Sequence, residues 1–190
     1  MIRRLATGTL ILLAVSGLGT PAFAQDPVQR SFSGDTVNLN LSTGNYRVTA
    51  SADNTIRVVA RTNPDKVSVR LSTNLLGTEA TVKVTGPKEG FDADIQLPEN
   101  VSVVAELLGG SLQLSGIRGS KDIAARSGQI EVAVGGRDDY KHVTASVGTG
   151  ELIATVFDQK ALGVRSFEWT GNGSHNLKVR VNSGKVTLKN

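Results

Sequence analysis

The 190-residue chain has no cysteine, two histidines, five prolines and one tryptophan, and aromatic residues make up only 4% of it. Without cysteine there is no disulfide framework, no thiolate metal centre, no cysteine nucleophile and no lipid anchor on a cysteine. Two histidines fall short of the usual catalytic zinc set, which draws on several His or Cys ligands. No cofactor and no metal site are expected. Sparse aromatics leave little material for stacking against sugar rings. Helical periodicity is nearly absent, and beyond the first 24 residues no apolar run approaches the ~20 residues needed to span a bilayer.

The first 24 residues have the pattern of a secretory signal peptide. Arg3 and Arg4 precede an apolar run over residues 5–15, and Ala22-Phe23-Ala24 supplies a small-x-small cleavage site. The mature chain is expected to begin at Gln25, with residues 25–190 forming a single all-β domain. Removing residues 1–24 takes away two of the 21 basic residues and no acid. That leaves 19 basic against 17 acidic, a net charge of +2 rather than +4. So even a balance does not suit a general nucleic-acid binder. The expected location is beyond the inner membrane: periplasmic, cell-surface or extracellular.

What the chain has in abundance is period-two alternation. Val37, Leu39 and Leu41 alternate with Asn38 and Asn40. Tyr46, Val48 and Ala50 alternate with Arg47 and Thr49, and Ala93, Ile95 and Leu97 with Asp94 and Gln96. Strands of this kind bury one face and wet the other. Gly, Asn, Asp and Ser punctuate them at the spacing of an all-β domain.

A small residue, a glycine and then x-apolar-x-apolar recurs at Thr43-Gly44, Gly109-Gly110, Ser127-Gly128, Thr149-Gly150 and Ser183-Gly184. Self-similarity near twenty residues predicts a β-solenoid or β-helix-like stack of short strands, cornered at glycines, with a more sandwich-like N-terminal part. The region 166–171 would be a degenerate coil. The alternative is a two-sheet β-sandwich with glycine-containing turns. Asn182-Ser183-Gly184 also reads as a simple hairpin turn.

Leu97-Pro98, residues 101–107 and the serial Ser/Thr-Gly-x-apolar strands ending in Ser183-Gly184-Lys185-Val186-Thr187-Leu188 resemble the exported bacterial adhesin-type domains of unknown function. The likeness spans residues 28–189. It implies an exported β-solenoid-like domain with repeated glycine turns, and it brings no catalytic residues.

Among candidate chemical groups, Asp92 and Asp94 share one strand face about 6.5–7 Å apart, near the separation of an inverting glycosidase pair. Alternation points His142 to solvent and places His175 in phase with Leu177 and Val179. Ser183-Gly184-Lys185 lacks the first glycine of a phosphate loop. Gly135-Gly136-Arg137-Asp138-Asp139 lacks the repeat of a calcium-binding turn. Phe167 and Trp169 share a face expected to be buried. Finally, Lys178, Arg180, Lys185 and Lys189 point outward and would line one face if two terminal strands paired. Such a face could engage an anionic surface polysaccharide or another envelope component, or could simply discourage edge-to-edge aggregation. Two functional readings follow: an exported non-enzymatic interaction or structural module, and a carbohydrate-active enzyme of the lyase or glycosidase kind.

Overall fold

The computed structural model describes residues 27–87, 90–157 and 164–190. The expected leader, residues 1–24, lies outside the described residues. Alternating segments become β1 (Val28–Ser31), β2 (Thr36–Leu41), β3 (Gly44–Ser51), β4 (Thr55–Ala60), β5 (Ser68–Thr73) and β6 (Glu79–Thr85). There follow β7 (Asp92–Pro98), β8 (Ser102–Leu107), β9 (Gly110–Ser115), β10 (Lys121–Ala133), β11 (Tyr140–Ala154), β12 (Ser166–Thr170) and β13 (His175–Lys189). The chain is all-β, with only three one-turn 3-10 segments among the described residues.

The long strands do not stop at their glycines. β10, β11 and β13 run straight through Gly128, Gly150 and Gly184, which take φ of 127°, 133° and 141°. That backbone region suits a residue with no Cβ, and each strand bends there into two arms. Inward phase slips at the bend: Ile123 and Ala125 are buried before it, Ile130 and Val132 after it. In the shorter pairs β2–β3 and β8–β9 the second strand opens at Gly44 and Gly110, which are in register with each other, and Gly110 has φ 100°.

Strands pair in parallel along both arms. In the first arm β10 is flanked by β8, and in the second by β9, while β13 covers its other side along both arms. β2 lies between β6 and β8, β3 between β7 and β9, and β13 between β10 and β11. Antiparallel strands cap the ends: β4 and then β1 beyond β7, β5 beyond β6, and β12 beyond β11. β1 and β5, the two ends of the main path, come back together, and Arg30 Nη1 donates to Thr73 Oγ1 at 3.4 Å.

This architecture corrects the expected solenoid, and with it the solenoid form implied by the adhesin-type resemblance. A single mixed sheet of 13 strands bends back on itself and nearly closes into a barrel. Most neighbours in the sheet are not successive in the chain, as they would be in an open coil stack: β2 lies between β6 and β8, and β3 between β7 and β9. Gly128, Gly150 and Gly184 are bends within continuous strands, and Gly44 and Gly110 open β3 and β9 beside them; none is a corner between stacked coils. One continuous sheet also replaces the two-sheet sandwich. Asn182-Ser183-Gly184 is no hairpin turn, because β13 continues through it. Residues 166–170 form an antiparallel strand on β11 instead of a coil.

The inward faces of both arms meet in one apolar cluster containing Leu39, Val48, Ile95, Leu112, Ile123 and Val179. Full burial of each such side chain is worth roughly 1.5–3 kcal/mol. A one-residue slip would turn each of them outward, which is why the register is fixed so firmly. Phe91 fills the space left by Gly44 and Gly86, where a Cβ would lie within 2.6 Å of its ring, and meets Tyr46 edge-on at 5.6 Å.

Candidate functional site

The outer face of the second arm carries the richest polar surface. Parallel pairing sets Asp92, Asn45, Ser111, Gln129, Lys185 and Glu151 side by side across six strands. Neighbouring strands are about 4.8 Å apart, so side chains reach each other laterally. Ser111 Oγ donates to Asn45 Oδ1 at 2.8 Å, and Asn45 Nδ2 donates to Asp92 Oδ1 at 3.0 Å. Thr62 Oγ1 donates to Asp92 Oδ2 at 3.1 Å. The next row, two residues along each strand, sets Asp94, Arg47, Gln113, Glu131 and Thr187 in line.

Two constellations that look unrelated in the sequence therefore share this face. Asp92 and Asp94 stand at one end, Lys185 and Lys189 at the other. Asp94 Oδ2 pairs with Arg61 Nε at 3.0 Å, while its Oδ1 is screened from solvent and accepts no hydrogen bond among the described residues. Lys185 pairs with Glu151 at 2.9 Å and Lys189 with Glu131 at 2.7 Å. The charges of the face balance: Arg47, Arg61, Lys185 and Lys189 stand against Asp92, Asp94, Glu131 and Glu151.

Lys178 and Arg180 fall elsewhere. They precede the bend in β13, on the outer face of the first arm, and Arg180 pairs with Asp122 at 3.2 Å. The two pairs of cations belong to one bent strand and not to two paired strands, so no single face holds all four.

His142 is part-exposed, 3.6 Å from Glu168. His175 meets the Tyr140 ring edge-on at 6.5 Å. Phe167 and Trp169 pack half-buried on Phe157 at 5.6 and 5.1 Å. No cluster of three or more metal-ligating side chains occurs among the described residues.

One feature went unread in the sequence. Lys121 is 1% exposed, with Nζ donating to Gly119 O at 2.9 Å and to the Tyr140 hydroxyl at 2.6 Å. Tyr140 in turn donates to Val134 O at 3.2 Å. Burial pushes the Lys121 ammonium down to about 8 against the opposing pull of Asp139, and pushes Tyr140 up to about 12. The signal was available, since Lys121 is in phase with the inward Ile123 and Ala125. So enclosed an amine belongs to the core and cannot meet a substrate.

No protein-family model matches the chain, and no curated protein matches its sequence. Its fold is similar to that of a provisionally named cell adhesion protein of Clostridium sporogenes, at 13% identity and a TM-score of 0.55 over 88% of this chain and 99% of that one. Two provisionally named adhesins align more loosely. That of Parabacteroides distasonis has 12% identity and a TM-score of 0.33, over 88% of this chain and 71% of that one. That of Bacteroides fragilis has 10% identity and a TM-score of 0.26, over 85% and 95%. The first is a likeness of fold; the other two carry no weight. Among the described residues, no helix is long and apolar enough to cross a membrane.

Proposed function

We propose that the chain is an exported, non-enzymatic interaction module of the bacterial envelope, adhesin-like in role, that contacts surface polysaccharide through the outer face of its second arm. The observation that carries this reading is the lateral register of Asn45, Ser111, Gln129 and Lys185, which holds hydrogen-bonding groups in a row before any ligand arrives. Prepositioned groups lose little freedom on binding, and a polysaccharide lying across the strands offers hydroxyls along its length. The shared fold with the clostridial protein supports an adhesive role, and the leader pattern supports export.

Charge balance sets the expected behaviour. Because four cations face four carboxylates, binding should change little with salt, whereas a polyanion held by bare lysines would be released as screening rises. Replacing Gln129 and Lys185 together by Ala should weaken binding of purified envelope polysaccharide at least about tenfold, the loss of one to two hydrogen bonds. Both side chains point outward, so the melting temperature should barely move. Unchanged affinity in that variant would remove this face from the reading. N-terminal sequencing of exported material should begin at Gln25; a retained Met1 would overturn the export step.

The placement of Asp92 and Asp94 on one face of β7 gives one second reading, glycan cleavage by these two carboxylates. If so, the chain should release new reducing ends from envelope polysaccharide, and Asp94→Asn should stop the release while leaving binding in place. A parent protein that binds without cutting excludes it.

A further inference from the structure

Beyond that reading, and on a different face, two features fit each other. The hairpin between β5 and β6 ends in a tightly tied turn. Asn74 Oδ1 accepts from the amides of Thr78 and Glu79 at 3.0 and 3.3 Å, and the Gly77 amide donates to Asn74 O at 3.1 Å. Yet this ordered turn holds Leu75 and Leu76 out in solvent, 106% and 85% exposed. Soluble monomers seldom present adjacent large apolar side chains on a protruding tip without use for them. Two carboxylates flank the tip: Glu79 follows it, and Asp35 donates its amide to Thr78 O at 2.9 Å. Arg30 lies behind it, against Thr73.

The outer face of the first arm carries a groove of about 920 Å³ running across β6, β2, β8, β10 and β13. It exists because the short side chains of Asn40 and Ala124 sit in register between the longer Lys83, Glu106 and Arg180. Leu108 lies in it 60% exposed. Lys83, Arg126 and Arg180 line it against the single carboxylate of Glu106, and neither Lys83 nor Arg126 has an ion-pair partner among the described residues.

We infer that copies of this chain associate head to tail, the Leu75–Leu76 tip of one molecule seating in the Leu108 groove of the next. Apolar surface meets apolar surface, and the acids beside the leucines meet the cations of the groove. A molecule cannot fill its own groove. The tip precedes β6 and the groove begins at Lys83, four residues or about 13 Å beyond the start of that strand. Two unlike patches make a heterologous contact, which propagates instead of closing as a two-fold dimer. The same acids disfavour an anionic lipid surface as the occupant of the tip. An acidic polysaccharide in the groove would leave Leu108 unused.

Sedimentation velocity on the purified exported chain over a wide concentration range tests this directly. The parent should form a series of species growing with concentration. Leu75→Ser with Leu76→Ser, and separately Arg126→Glu, should each abolish that growth, with melting temperatures unchanged because all three positions are exposed. The two variants mixed in equal amounts retain one good tip and one good groove, so they should form dimers and nothing larger. A parent that stays monomeric, a groove variant that associates like the parent, or a mixture that stays monomeric would each overturn the proposal. So would tip-dependent sedimentation with phosphatidylglycerol vesicles in the absence of self-association, which would assign the tip to lipid.

Discussion

Gly128→Ala should fail to reach the native state. Gly128 has φ +127°, and a Cβ there would lie 1.9 Å from the carbonyl oxygen of Gly110 on the neighbouring strand. The obstacle is backbone, so no rotamer change relieves it. The neighbours cannot retreat either, because the same contact recurs along the bend. A Cβ on Gly110 would meet Gly44 O at 2.0 Å, one on Gly184 would meet Gly128 O at 1.8 Å, and one on Gly150 would meet Gly184 O at 1.7 Å. The expected cost exceeds about 4 kcal/mol, in the range reserved for a few severe mechanisms, and should appear as insolubility or loss of a cooperative melt. Gly77→Ala is the control. It too has positive φ, 69°, but no atom within 4 Å of the added methyl, so it should cost only the conformational penalty of roughly 1–2 kcal/mol. Equal melting temperatures for the two variants would mean that close strand approach does not set the bend.

The second large effect concerns Lys121. In the unfolded chain its ammonium loses a proton near the ordinary 10.5; in the folded chain burial lowers this to about 8. Below pH 8 both states are charged, and the native state bears the whole penalty of enclosing a cation, on the order of 3 kcal/mol. Between 8 and 10.5 the unfolded chain binds one proton more than the native chain, so stability climbs with pH. Tyr46 and Tyr140, both pushed up to about 12 by burial, work in the opposite sense above pH 10, where the unfolded chain ionises first. Stability should therefore rise from neutral pH to a maximum near pH 10. Lys121→Met keeps the length of the side chain and removes its charge. Tyr140 keeps its own bond to Val134 O, while the Gly119 carbonyl and the Tyr140 hydroxyl oxygen each lose the Lys121 donor. The variant should be about 1–2 kcal/mol more stable at neutral pH and should lose the climb. Denaturant midpoints at about pH 7 and 9.5 decide it: a parent indifferent to pH, or a weakened variant, would refute the role of burial.

Strand positions were legible because half-buried strands write their burial into alternation. Val37, Leu39 and Leu41 lie where period two puts them, as do Ile130 and Val132. Pairing was not legible, because lateral neighbours leave no trace in a local pattern. Nothing around Tyr46 says that Leu112 lies beside it, and nothing near Leu177 says that β13 enters between β10 and β11. The repeated glycines were visible but ambiguous, since positive φ serves a turn and a mid-strand bend equally well. The same blindness to lateral register split the candidate surface. Asp92 and Lys185 are 93 positions apart in the chain yet belong to one row, whereas Arg180 and Lys185, five apart, lie on different arms.

The place of β13 bears on how the chain becomes a protein. Synthesis delivers the amino terminus first, and His175–Lys189 follows every other described strand of this sheet, yet it belongs between β10 and β11 and touches both along its two arms. Until it is present, β10 has an open edge and the hairpin of β11 and β12 has nothing to join. The sheet therefore cannot grow from one end as the residues emerge; it must wait for its keystone. Such dependence on distant pairings makes for slow folding, and it gives any binder of unpaired strands a long interval in which to act before the β10 edge closes.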